Sequence, residues 1–143
     1  ALPISNDSKN TIFFTYSNSQ LSAKKIELDF KNALSIKCDF RHEPEVTALV
    51  NRIYSLNIDV LINNAYADNS IKTYFHKTPS EDFELNFINN IIPAIRITQS
   101  VITQFRKKKN GKVITILTSG LANTPPLGWS CYTANKAYME SLV

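Results

Sequence analysis

A chain of 143 residues, 43% apolar and 20% charged, carries enough hydrophobic material for one core and too little for two comfortable domains, a balance that excludes a disordered chain. The net charge of +4 does not mark a nucleic-acid binder, because much of the excess is one run, Arg106 to Lys109, set before Asn110-Gly111 as the end of a helix would set it. Apolar runs as short as Val60-Leu61-Ile62 exclude a membrane-spanning helix, which needs about 20 residues, and Cys38 and Cys131, with neither a paired spacing nor a secretory pattern, point to a reduced, cytoplasmic setting.

Ala1 to Asn10 is polar and carries no pattern. Thr11 to Tyr16 is a β-branched and aromatic run that predicts a buried strand, and Ser19 to about Asn32 follows as an imperfect helical pattern with Leu21, Ile26, Leu28 and Phe30. A second strand, Ala33 to Cys38, ends at Asp39. Glu43-Pro44-Glu45 then opens a helix whose Val46, Leu49, Val50, Ile53 and Leu56 make one apolar face. Asp59 to Ile62 predicts a third strand running into Asn63-Asn64-Ala65-Tyr66, and 67–79 reads as a loop. Thr78-Pro79-Ser80, with Glu81 and Asp82 behind it, starts a long helix to Lys109. Val113 to Leu117 is the fourth strand, and a helix carrying Tyr132 and Lys136 follows a loop interrupted by Gly and Pro. Strand and helix alternate with no linker or repeat, so one domain over 1–143 is expected. Its fold class is α/β: a doubly wound parallel sheet in three α/β/α layers.

Tyr132 and Lys136 stand four apart on one helix face, so the ammonium can lie beside the phenol. A phenol titrates near pH 10, but a cation about 5 Å away at an effective dielectric of about 20 contributes roughly 3 kcal/mol toward the phenolate. That makes a phenol usable as a general acid or base near neutrality. Ser119, thirteen positions before Tyr132, leaves a strand end where its hydroxyl can hold the same substrate oxygen. Ligands of open α/β sheets gather at the carboxyl ends of strands, and Asp39, Asn63-Asn64-Ala65 and Ser119 all stand at strand exits.

Ser119, the YxxxK of Tyr132 and Lys136, and the stretch Asn63 to Tyr66 at this order and spacing resemble the classical short-chain dehydrogenases/reductases, a likeness that runs from Thr11 to Val143. The resemblance implies a Rossmann-like fold and an NAD(P)-dependent oxidoreductase that interconverts a small-molecule carbonyl and an alcohol. It implies Tyr132 as the acid/base, Lys136 as the residue that tunes it and orients the ribose, Ser119 on the substrate oxygen, and Asn90 holding a relay water. Pro93 favours that last role, because it lacks an N–H and leaves the Asn89 carbonyl free. Asn63, Asn64 and Ala65 are implied to wall the adenosine half of the cofactor, and Asp39 to accept from the adenine amino group. Tyr16 is followed by Ser17-Asn18-Ser19 and no acid, which leaves room for a 2′-phosphate and favours NADP over NAD.

The departures from the family are specific. The family's N-terminal strand and Gly-rich turn have no counterpart, Tyr66 replaces a Gly, and nothing follows the start of the catalytic helix, so the natural polypeptide is expected to extend both before Ala1 and after Val143. The fragment alone is expected neither to bind a dinucleotide tightly nor to catalyse. A sugar-nucleotide epimerase or dehydratase shares YxxxK but usually places its Ser or Thr about twice as far ahead of the Tyr. A non-catalytic scaffold or regulator would explain the absent Gly turn and not the retained Ser, Tyr, Lys and Asn.

Ile88, Ile92, Ile95 and Ile102 mark one apolar stripe of the long helix, and Phe87, Ile91, Ala94 and Val101 a second beside it. One side covers the sheet, and the second stripe is expected to pair with a symmetry mate, as in the family, in a homodimer or homotetramer. His42 and His76 lack metal spacing, so no metal site is expected. Cys131 reads as packing. Trp129, Pro125, Pro126 and Tyr74 are expected to line an apolar pocket.

Overall fold

The computed structural model describes residue 7 and residues 9–67 and 72–142. The start of the polar N-terminal stretch, residues 68–71 of the expected loop and Val143 lie outside the described residues. The elements follow the alternation read from the sequence: β1 (Ile12–Tyr16), α1 (Gln20–Asp29), β2 (Ala33–Lys37), α2 (Glu43–Ile53), β3 (Val60–Asn63), α3 (Ser80–Lys108), β4 (Lys112–Thr115) and α4 (Ser130–Leu142). Short 3-10 turns at Phe75–Lys77 and Ser119–Leu121 punctuate the loops before α3 and α4. The chain groups into two compact units, Ala1–Leu49 and Val50–Val143.

In the first unit β1 and β2 pair in parallel, with Ile12 opposite Ala33 and Tyr16 opposite Lys37. Helix α1 packs on β2, and the carboxylate of Glu27 accepts the Ser35 N–H at 2.6 Å, which ties the helix to the strand's backbone. The apolar residues of α1 separate by helix geometry. Leu21 and Leu28, seven apart and so on one face, are 85% and 70% exposed, whereas Ala23 on the other side is buried. The imperfect pattern read from the sequence thus reflects apolar residues on more than one face, and the helix runs Gln20–Asp29, within the expected span. Helix α2 starts at Glu43 with Pro44 in its first turn and acids at Glu43 and Glu45, as its N-terminal signals predict.

In the second unit β3 and β4 pair in parallel from Val60 opposite Lys112 to Asn63 opposite Thr115. The strand expected over Val113 to Leu117 pairs one residue earlier and stops two sooner because its partner ends at Asn63; the Ile116 N–H then makes one further bond to the Asn63 carbonyl, at 2.9 Å. Strands therefore pair as β1 with β2 and β3 with β4. Parallel strands joined through helices give the α/β architecture expected.

Helix α3 is the spine of this unit. Ile91 and Val101 are each 1% exposed, and Ile91 and Ala94 meet Met139 of α4 in a core ringed by Phe87, Ile95, Leu117 and Leu142. The ring of Phe87 also meets that of Tyr138 edge-on at 5.1 Å. The stripe expected to face a symmetry mate is thus spent inside the unit. The stripe that remains exposed holds Leu85, Ile88 and Ile92, at 52%, 56% and 38%. The assignment of the two stripes is reversed because periodicity finds two apolar faces without saying which one α4 covers.

The C-terminus of α3 is fastened by side chains. Gln104 Nε2 donates to the Ile53 carbonyl at 2.6 Å, and Lys108 Nζ bonds the Ile58 carbonyl and pairs with Asp59 at 2.6 Å. The left-handed cap falls on Lys109 (φ 52°), one residue before the expected Asn-Gly, with the Asn110 N–H returning to the Phe105 carbonyl. Gly111 is needed for space, since a Cβ there would lie 2.1 Å from the Phe105 ring. Gly111→Ala is therefore expected to push the buried Phe105 ring aside and cost about 1–3 kcal/mol in urea unfolding. A loss below about 0.5 kcal/mol, the size of an ordinary surface change, would contradict the close packing.

Candidate active site

Three chain segments of the second unit carry most of the predicted side chains. Strand β3 ends on Asn63 and hands the chain to Asn64, Ala65, Tyr66 and Ala67; β4 exits through Ile116 to the 3-10 turn that begins at Ser119; and α4 carries Tyr132, Asn135 and Lys136. The Ser119 turn is fixed by Thr118, whose hydroxyl accepts the Gly120 N–H at 3.3 Å, and it packs against α4. Ser119 itself is exposed.

Lys136 is 6% exposed, and its ammonium donates to the Ile116 carbonyl at 2.7 Å. Burial pushes its pKa below the ordinary lysine range, because the charged form has lost its water. Two aromatic rings partly replace that water. The ammonium lies 5.5 Å from the centre of the Tyr66 ring and 5.8 Å from that of Tyr132. Tyr132 and Lys136 share a helix face as expected, and the bond to Ile116 locks that face onto the exit of β4.

The Asn residues expected to meet a ligand are engaged with the protein in different ways. Asn63 Nδ2 donates to the Thr98 hydroxyl at 3.1 Å and so fixes the end of β3 to α3. Asn64 and Ala65 stand exposed at the strand exit. Asn90 is 4% exposed and clamps the backbone of Ala67, accepting its N–H at 2.6 Å and donating to its carbonyl at 3.3 Å, while Nδ2 also donates to the Asn86 carbonyl. The side chain of Asn90 thus shapes the loop after β3. Thr98, Ala67 and Asn135 escaped the sequence reading; only the i,i+4 spacing of Asn86 and Asn90 hinted at a polar stripe on α3.

Tyr132 meets two rings edge-on, Tyr66 at 5.0 Å and Trp129 at 5.3 Å. Lys72 sits 4.5 Å over the Trp129 ring. Gly128 (φ 79°) permits this arrangement, since a Cβ there would come within 3.2 Å of the Lys72–Thr73 peptide. The expected apolar pocket exists as a cleft of about 330 Å³ lined by Tyr74, Pro125, Pro126 and Leu127. Trp129 is not among its walls. Phe75 and Gly128 line it too, and its walls on α4 are Ser130, Thr133 and Ala134, on the side turned away from Tyr132 and Lys136.

Asp39 belongs to the first unit. It stands at the exit of β2 as expected, and its carboxylate takes the Arg41 guanidinium at 2.6 and 2.8 Å together with the Arg41 N–H at 3.0 Å. The hydrogen bonds from Arg41 hold it down to about 2. The histidines are occupied elsewhere: His42 faces Glu45 at 3.4 Å, and His76 stacks on Tyr74.

Residues 4–143 match the short chain dehydrogenase family. A very-long-chain 3-oxoacyl-CoA reductase of Coccidioides immitis is 29% identical over 98% of this chain and 42% of its own length. The solved structure of a short-chain dehydrogenase from Streptomyces avermitilis superposes with a TM-score of 0.79 at 22% identity, over 98% of this chain and 51% of that one. That of a serine dehydrogenase complexed with NADP+ gives 0.73 at 23% identity, over 91% of this chain and 52% of that one. The chain thus spans about half the length of these relatives or less.

The Asp39 pairing makes stability depend on acid. The folded-state pKa lies below the unfolded value near 3.9, so the stabilisation is complete above that value and is lost as pH falls through about 2. Because the Arg41 side chain is 36% exposed, screening limits the effect to about 1 kcal/mol. Asp39→Asn should lose that amount at neutral pH and flatten the fall in urea-unfolding stability below roughly pH 4. An unchanged acid limb would show that the pair contributes nothing.

Proposed function

This chain belongs to the short-chain dehydrogenase family, and from that premise we propose that it is the core of an NAD(P)-dependent oxidoreductase interconverting a carbonyl and an alcohol. The observation that carries the reading is the buried ammonium of Lys136, bonded to the exit of β4 and set beside the phenol of Tyr132. A buried lysine with no acidic partner among the described residues is costly to keep for structure alone.

The donor set fits the nicotinamide-ribose half of the cofactor. An ammonium has three N–H groups, the Ile116 carbonyl takes one, and those left over suit ribose hydroxyls. No Gly-rich turn for a pyrophosphate occurs among the three glycines of the chain. When bound, the nicotinamide supplies or accepts the hydride. Tyr132 gives its hydroxyl proton to the carbonyl oxygen as the alcohol forms and takes it back in the reverse direction. Ser119, from the neighbouring turn, donates to the same oxygen and holds it in place. The charge of Lys136 supports the phenol oxygen while that proton is away. The relay from Lys136 to solvent is assigned to a water beside Asn90. There Pro93 leaves the Asn89 carbonyl without its helical donor, and the Asn90 side chain holds the Ala67 backbone.

The remaining assignments are proposals of the same kind. Asn63, Asn64 and Ala65 line the cofactor at the exit of β3, and Asp39 offers its carboxylate to the adenine amino group. Ser17-Asn18-Ser19 after β1 has no acid to repel a 2′-phosphate, which favours NADP over NAD. Free, buried Cys38 and Cys131 fit a reduced, cytoplasmic setting. The named activity of the reductase relative makes a 3-oxoacyl thioester the first substrate to try. The exposed stripe Leu85, Ile88 and Ile92 suits a homodimer or homotetramer through α3.

In the full-length protein, Tyr132→Phe should abolish NADPH-dependent reduction of acetoacetyl-CoA and leave the fluorescence-titrated Kd for NADPH within a few-fold, since only a transferable proton is lost; more than about a tenth of the activity retained would sink the assignment. Lys136→Ala should damage both rate and NADPH affinity, and a loss of rate alone would remove the ribose contact. Ile88→Asp should shift the sedimentation of the full-length protein toward monomer, whereas an unchanged distribution would place the interface elsewhere.

A further inference from the structure

Tyr66 stands where a small residue would suffice to pass the chain from β3 to the following loop. A large, partly buried aromatic residue here has a defined set of contacts. Its hydroxyl accepts a hydrogen bond from Asn135 Nδ2 at 3.3 Å, and its ring meets the Tyr132 ring edge-on at 5.0 Å. The Lys136 ammonium lies 5.5 Å from the ring centre, nearer than to the ring of Tyr132. One side chain therefore touches three consecutive functions of α4: the phenol, the buried Asn one turn along, and the lysine.

The balance of interactions on Lys136 explains why such a side chain matters. Its hydrogen bond to the Ile116 carbonyl is directional, but a carbonyl dipole alone offsets little of the loss of water around a full charge. A second aromatic face supplies a further diffuse negative potential beside the ammonium, which pairs with no carboxylate among the described residues. Asn135, 5% exposed, makes this face stationary by pinning the phenol oxygen. The same ring packs edge-on against Tyr132, as the Trp129 ring also does.

We propose that Tyr66 is a positioning residue of this site, a wall anchored by Asn135 that covers Lys136 and holds it in register with Tyr132. The proposal rests on the reading of Tyr132 and Lys136 as the acid/base pair. Its function lies in the ring, and the bond from Asn135 to the hydroxyl is secondary to it. A Phe should therefore substitute nearly fully, and a Gly should not.

The test uses the full-length protein with two readouts. Brief acylation by acetic anhydride, quantified lysine by lysine by mass spectrometry, should find Lys136 slow to react in the wild type and in Tyr66→Phe. In Tyr66→Gly it should react about tenfold faster while the other lysines keep their rates, as the loss of one desolvated cation–π face suggests. With acetoacetyl-CoA and NADPH, Tyr66→Gly should lower kcat by about tenfold with KM for the thioester within about twofold, and Tyr66→Phe should stay within about threefold of wild type. Unchanged labelling of Lys136 in Tyr66→Gly overturns the proposal whatever the turnover, and so does a Tyr66→Phe variant as impaired as the Gly one. Tyr132→Phe run alongside separates the two readings. Activity surviving in that variant defeats the acid/base assignment, while the labelling still decides whether Tyr66 covers Lys136.

Discussion

A positive charge taken out of water constrains the second unit. Lys136 sits on a helix whose remaining buried residues are Cys131, Asn135 and Met139, and among the described residues no carboxylate is paired with it. Its charged form survives burial through one short hydrogen bond to a backbone carbonyl and two aromatic faces. Those partners come from three separate places in the sequence: the exit of β4, the exit of β3, and the preceding turn of α4 itself. Satisfying one ammonium thus sets the helix, the strand end and the loop against one another. The phenol of Tyr132, one turn away, inherits its place from that arrangement.

Helix α3 carries the polar half of the same logic. A helix buried on one face ordinarily presents only apolar residues there, yet Asn86, Asn89, Asn90, Thr98 and Ser100 are all buried alongside Ile91 and Val101. Asn90 and Thr98 each hold a group at the exit of β3, the first through the Ala67 backbone and the second through Asn63. Ser100 turns back to its own helix, donating to the Ile97 carbonyl. Strand exits are where backbone groups lose their ladder partners, so a neighbouring helix that offers amides and hydroxyls keeps them satisfied without closing the space above the strands. A site at the carboxyl ends of strands depends on this support.

The order of strands and helices was legible in the sequence because alternation of β-branched runs with capped amphipathic stretches is a strong signal. The placement of Ser119 beyond a strand exit, and of Tyr132 and Lys136 on one helix, was legible because that spacing is tied to one strand-loop-helix geometry. What escaped detection shares one physical character: it depends on which face meets which. Leu21 and Leu28 have the same hydrophobicity as Ile26, and only the position of β2 decides that they face away. The two stripes of α3 could not be ranked until α4 was seen to cover Phe87 and Ile91. Tyr66 was noticed as a departure from a small residue, but its bond to Asn135 joins positions 69 residues apart, and no local pattern encodes that.

Burial by itself does not distinguish a functional group from an inert one, and the two cysteines supply the comparison. Loss of water raises the Cys38 thiol to about 11 and moves Cys131 in the same direction, with nearby acids adding to the effect in both. Each therefore stays protonated and unreactive near neutrality, although Cys131 is the immediate neighbour of Tyr132. Desolvation acts on Lys136 with the same physics and the opposite sign of charge, disfavouring the cation as it disfavours the thiolate. The difference lies in what surrounds the group. The cysteines meet burial and acids, which reinforce the neutral form; Lys136 meets a carbonyl oxygen and two ring faces, all of which favour the cation. Of these three buried groups, the lysine is the one whose neighbours oppose the effect of its burial.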